Sequence, residues 1–374
     1  MNYYIIPKNN FKIKLFLLEK PEPINPVISY SLIFHLNDVY TNLLKLEDSA
    51  NNMTIDHINK IVNPFEFIHT NVPGYQVSVS KVKPESNIFF ELMEIFQLCN
   101  IFDSLLSPST TTKNKMNITH LTPNYTSTNY LLNMLREDNE DNVVFEDFDY
   151  KTLCDKFVID INPTKIDLFI FEFKDEDYTD MKQYIKNVLL VLYIITKYQS
   201  NRGTSIIKLD GIFYKIIIDV LLIFTAIYDK VFLIKPTISS ITTGERYIIC
   251  KHLNYSSITD NNLLSQIEEK LTSKLANDTI CNNNIHSFLS NEIPYYFLNK
   301  IEESNAVIGQ QQLESYDQII NIFKNKNKDE KLETLKRNHI QKCVQWCEKN
   351  QIPHNKFTDK INIFLNSKKK EDLL

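Results

Sequence analysis

Between Asp167 and Lys251 the chain repeats one unit: a short apolar run edged by a charged residue, then a longer apolar segment with helical spacing. Asp167-Leu-Phe-Ile-Phe-Glu172 is the first run, and Met181 to Tyr198 is the helical segment after it. The next run starts at Gly203 and ends at Lys208; Ile212 to Tyr228 follows, then Val231 to Ile234, and last Tyr247-Ile-Ile-Cys250. Runs that are apolar at successive positions, rather than alternate ones, are strands covered on both faces. Such strands alternating with helices predict a mostly parallel, doubly wound α/β sheet. The edge residues matter too. Lys208 ends one run, Glu172 ends another and Glu245 opens the last. A lysine and a glutamate brought together at strand ends can act on a shared proton.

The flanking segments read differently. Phe11 to Leu18 begins like a strand, Pro21, Pro23 and Pro26 break it, and Ile28 to Leu46 is helical. A helix starting near Ser86 carries Glu91 and Glu94; Asn117-Ile-Thr-His-Leu and Val143-Val-Phe are short strands, with a helix from Tyr130 to Arg136 between them. After Leu253 the apolar spacing predicts helices over Leu263–Leu275, Ile285–Ile301, Leu313–Phe323 and Leu332–Cys347. The expected division is an N-terminal extension (1–75), a sheet domain (76–253) and a helical C-terminal region (254–374). Ile319, Ile320, Ile322 and Phe323 cover more than one helix face, which predicts that another protein chain covers part of this region. Its removal is expected to leave the sheet domain folded.

Several function classes are disfavoured. A net charge of -5 gives no overall attraction to nucleic acid. Lys324, Lys326, Lys328 and Lys331 read as a solvated basic loop. Charges at Lys208, Asp210, Lys215, Asp219 and Asp229 interrupt the apolar stretch from Ile206 to Ile234, so a membrane span is not expected. The six cysteines form no ladder of spacings, and the amino terminus lacks a secretory pattern, so a reducing compartment is expected. Cys343 and Cys347, one turn apart with His339 before them, could be half a metal site; the favoured reading is small side chains on a buried stripe, with no metal.

The order Gly203, Lys208, Lys235-Pro, Ser239-Ser240, Glu245-Arg-Tyr-Ile-Ile-Cys resembles the FtsJ-like RNA ribose 2′-O-methyltransferases, in the divergent branch found in large nucleocytoplasmic DNA viruses. The resemblance covers residues 76 to 252 and implies a Rossmann-like methyltransferase sheet, S-adenosylmethionine as donor, and a Lys-Asp-Lys-Glu tetrad at the strand ends. Lys208 matches the second lysine and Glu245 the glutamate. Glu172 stands where the aspartate belongs, its extra methylene displacing the carboxylate by about 1.5 Å. Glu91 stands where the first lysine belongs. Asp147 matches an acid that contacts adenine. The family's glycine-rich turn has no counterpart: none of the 5 Gly lies between Gly74 and Gly203, and Leu98 to Thr112 is expected to occupy the place of the turn.

The resemblance therefore implies a degenerate homologue that serves as a partner or scaffold in viral RNA processing or mRNA capping. It would bind S-adenosylmethionine if active and no cofactor otherwise. Its partners would be another viral protein, met through the C-terminal helices, and RNA, with no membrane. Its place would be the host cytoplasm, in a viral factory, or the virion. Two alternatives stand beside it: an active cap ribose 2′-O-methyltransferase with a differently built donor site, and a virion structural or assembly protein.

Overall fold

The computed structural model describes residues 2–49, 54–102, 115–121, 124–136, 141–146, 165–173, 180–275, 283–324 and 328–357. The central sheet has seven strands: β1 (Asn2–Ile6), β3 (Asn117–Leu121), β4 (Asn142–Glu146), β5 (Ile166–Glu172), β6 (Gln199–Leu209), β7 (Tyr228–Lys235) and β8 (Arg246–Leu253). Their order is β1-β7-β8-β6-β5-β3-β4. β4, β3, β5 and β6 are parallel; β8 is antiparallel to both β6 and β7, so β7 runs the same way as β6. The chain winds outward from β3 to β4, then returns to β5 on the other side of β3. That reversal makes a doubly wound sheet, with its crevice at the carboxyl ends of β3 and β5.

Side-chain period two splits the core between the faces. Phe169, Phe171, Ile207, Leu209, Val231, Leu233, Ile248 and Cys250 join one buried cluster, with helices α5 (Met181–Tyr198) and α6 (Lys215–Ile227). The alternate residues Leu168, Ile170, Ile206, Phe232, Ile234, Tyr247 and Ile249 join the other, with α3 (Ile88–Cys99) and α4 (Tyr125–Arg136). The two-sided apolar runs of the sequence are the direct cause.

Both flanking segments are built into this core. β1 pairs antiparallel with β7 and supplies an edge strand to the sheet expected over 76–253. Residues before the sheet also form β2 (Leu15–Lys20), α1 (Tyr30–Ser49) and α2 (Ile55–Val62). Beyond β8 lie α7 (Tyr255–Asp260), α8 (Leu263–Leu275), β9 (Asn284–Leu289), α9 (Tyr295–Lys324) and α10 (Lys328–Lys349). Leu263, Ile267, Phe288, Phe297 and Ile301 belong to the first cluster, and Cys343, Trp346, Cys347 and Ile352 to the second. Cys343 and Cys347 are thus buried stripe residues, as expected.

Two expectations need correction. The helix expected over Ile285–Ile301 begins only at Tyr295; residues 284–289 are β9, paired antiparallel with β2. The cause is Asp219, fully buried on α6, whose Oδ2 accepts from Ser287 Oγ (2.7 Å) and from the Phe288 and Leu289 amides (2.9 and 3.3 Å). The second concerns Ile319 and Ile322, which are buried within this chain against Leu43 of α1 and Ile55, Ile58 and Val62 of α2, with Ile320 and Phe323 half-buried at the edge of the same cluster.

The α1–α9 contact leaves no room at Gly309, where a Cβ would sit 2.5 Å from both Leu32 methyls. Gly309→Ala is expected to force α1 outward and to destabilise the fold by about 1–3 kcal/mol, read as a lower urea midpoint.

Candidate functional site

The sheet register sets the site. Glu172 pairs with Lys208 across β5 and β6, and Lys208 with Tyr247 across β6 and β8. Directly paired residues share a face, so these three side chains form a row across three strands. The alternation places that row on the face covered by α3, and Glu91 lies in the first turn of α3. Glu245 stands in the loop from β7, one residue before β8 begins.

Lys208 Nζ lies 3.2 Å from Glu91 Oε2 and 3.5 Å from Glu245 Oε2. Its side chain is 18% exposed, that of Glu91 5% and that of Glu245 25%. Glu172 is buried and acts on the same ammonium through its charge. The Tyr247 hydroxyl donates to Glu91 Oε2, and Lys208 sits over the Tyr247 ring, 5.8 Å from its centroid. Burial alone would push the Lys208 ammonium down. The carboxylates of Glu91, Glu245 and Glu172 outweigh it and hold Lys208 well above the usual lysine range. The structure therefore brings together four expected residues: Lys208, Glu245, Glu172 and Glu91. Asp147 lies outside the described residues.

The cluster borders an open cleft of about 550 Å³ between α1, α9 and the end of β6. Five aromatic residues line it (Tyr40, Tyr184, Phe213, Tyr214 and Tyr316), with the carboxylates of Asp210 and Glu245 and no lysine or arginine. Gly244 lies close against Asp210 there: a Cβ would come within 2.5 Å of Asp210 Oδ1, so the carboxylate would have to shift. Sequence reading missed this cleft. Its walls come from segments far apart in the chain, and α1 carries no chemical signature of its own.

The donor end differs from expectation in its place. Since β3 is the first parallel strand, the glycine-rich turn of such a fold would follow Leu121; residues 122 and 123 lie outside the described residues, as do 103–112 of the segment expected to replace the turn. Residues 98 and 99 end α3 instead, and Asn100 caps it in the left-handed conformation. The turn still holds no glycine. The Tyr125 ring packs on Phe145 and Phe145 on His120, with centroids 5.8 and 6.2 Å apart, across the ends of β3 and β4.

His120 is fully buried with both ring nitrogens unpartnered. Burial pushes its pKa down to about 3. The folded value lies below the unfolded one, about 6.5, so native stability is complete above that pH and falls as acid protonates only the unfolded chain. Between pH 6.5 and 5 this one group should cost about 2 kcal/mol. Urea unfolding at both pH values checks it, and His120→Leu should remove that part of the pH dependence.

No known family model matches the chain, and a search of curated proteins finds no match. Solved structures with some likeness include a probable spermidine synthase from Corynebacterium glutamicum ATCC 13032, at 10% identity and TM-score 0.31, covering 59% of this chain and 89% of that one. Human N-acetylserotonin methyltransferase in complex with SAM aligns at 10% identity and TM-score 0.25, over 60% and 68%. Coclaurine N-methyltransferase bound to N-methylheliamine and SAH aligns at 11% identity and TM-score 0.22, over 77% and 85%. The strand order and directions themselves establish a doubly wound, Rossmann-like α/β fold of the methyltransferase type.

Proposed function

We propose that this chain is a catalytically degenerate FtsJ-like ribose 2′-O-methyltransferase homologue that binds RNA ends as a partner in viral RNA processing or mRNA capping. One observation carries the reading: Lys208 stands among Glu91, Glu172 and Glu245 and is held charged. A lysine in that state cannot take a proton from a ribose hydroxyl, so it serves as a hydrogen-bond donor and ion-pair centre. The glycine-free turn and the aromatic packing at the donor end support the same reading. The aromatic and acidic cleft suits a stacked, positively charged base of an RNA cap better than a phosphate chain.

Calorimetry with S-adenosylmethionine and a methyl-transfer assay on capped RNA test it. The expected result is no binding in the low micromolar range, about -8 kcal/mol, and no transfer. Tight donor binding with transfer to a ribose would overturn it. It would favour an active enzyme, the reading supported by the intact Lys208–Glu245 pair.

A further inference from the structure

The carboxylate that meets Lys208 ends a loop, residues 236–245, whose shape is set by side chains reaching in from elsewhere. At its start the Glu94 carboxylate accepts from the Thr237 amide (3.0 Å) and hydroxyl (2.7 Å). At its end four successive carbonyls are each held. Thr242 O accepts from Gln312 Nε2 (3.3 Å) and the Tyr316 hydroxyl (3.1 Å), both on α9. Gly244 O accepts from Arg246 Nε at 3.1 Å. The remaining two, Thr243 O and Glu245 O, are both held by Lys235 Nζ, at 2.9 and 3.0 Å.

We infer that Lys235 is a positioning residue: its ammonium ties the last turn of this loop and thereby sets the Glu245 carboxylate against Lys208. The inference goes beyond the functional reading, since it holds whether the site transfers a methyl group or only binds. Fixing the carbonyls on either side of Gly244 fixes the backbone from which the Glu245 side chain departs. Packing does not explain a lysine here. Lys235 is 3% exposed, and a methionine would fill the space without the cost of burying a charge. Burial, then Arg246 of β8 and Lys208 of β6, disfavour the Lys235 ammonium, while Glu245 and Glu91 of α3 favour it; the net effect is a push down to about 8. A group retained against that cost is retained for its two hydrogen bonds.

The test is nuclear magnetic resonance of the full chain labelled with ¹⁵N-lysine, with the Lys208 ammonium signal identified by its loss in Lys208→Arg. In wild type at neutral pH the Lys208 ammonium should exchange slowly with water. In Lys235→Met its exchange should rise by about tenfold, the equivalent of one lost contact to a charged group. Lys235→Arg should restore slow exchange, since a cavity of about 170 Å³ beside the lysine leaves room for the guanidinium. Unchanged exchange in a folded Lys235→Met chain overturns the inference. So does fast exchange in both variants, which would make Lys235 a matter of shape alone. Should the methionine variant fail to fold, Lys235→Gln takes its place, and unchanged exchange there is equally decisive against.

Discussion

Lys208→Met is expected to lower the unfolding free energy by about 3 kcal/mol, at the lower end of the range for removing one partner of a buried ion pair. The variant keeps the aliphatic stem but removes the one ammonium that faces Glu91 and Glu245 and the charge that offsets Glu172, two of these carboxylates being buried. Pairing raises the Lys208 ammonium above its unfolded value of about 10.4. Its contribution is therefore complete below that pH and is lost as pH rises through the folded value. Urea midpoints of wild type and variant should differ at pH 7 and converge in strong alkali. Adding Glu91→Gln to the variant should recover part of the loss, because one stranded charge is removed. Additive losses in the double variant would show that Glu91 and Lys208 do not interact.

Truncation after Leu253 is expected to abolish folding of the whole chain. The sequence suggested that the sheet would survive such a cut. The structure points the other way, because Leu263, Ile267, Phe288, Phe297 and Ile301 complete one core cluster and Cys343, Trp346, Cys347 and Ile352 the other. Burial of each large apolar side chain contributes about 1.5–3 kcal/mol. The sum, about 14–27 kcal/mol, matches or exceeds the roughly 5–15 kcal/mol by which a domain is stable. Circular dichroism and dye binding of the truncated chain check this; a cooperative thermal transition near that of the full chain would refute it.

The central fold was legible because its strands carry their own evidence. Asp167 to Glu172 and Gly203 to Lys208 are apolar at adjacent positions and edged by charge, which only a strand covered on two faces requires. The convergence of Lys208 with Glu245 was legible too, since a strand's last residue lies beside the start of an antiparallel neighbour. β9 was not legible. His286-Ser-Phe-Leu is short, sits just before Pro294, and becomes a strand only because Asp219 collects its donors. The stripe at Ile319 to Phe323 was read as a surface for another chain, whereas α1 and α2 cover it. A stripe shows that a face is covered, without naming the cover. Lys235 gave no signal either, because a sequence does not show which way a lysine stem bends.

Two strand pairings join the first residues of the chain to distant segments: β1 with β7, and β2 with β9, where Leu15 lies opposite Leu289. Folding of this chain is consequently dominated by contacts of great sequence separation, which slows it. During synthesis, at about 5–20 residues per second, β2 waits on the order of half a minute for β9 to be made. Through that interval the apolar strand Leu15-Phe-Leu-Leu lacks its strand partner, and β1 lacks its own until β7 is made. Expression in a heterologous host should therefore be limited by this waiting time. Slower growth temperature lengthens the wait, so a co-expressed chaperone that shields extended apolar segments is the more effective remedy.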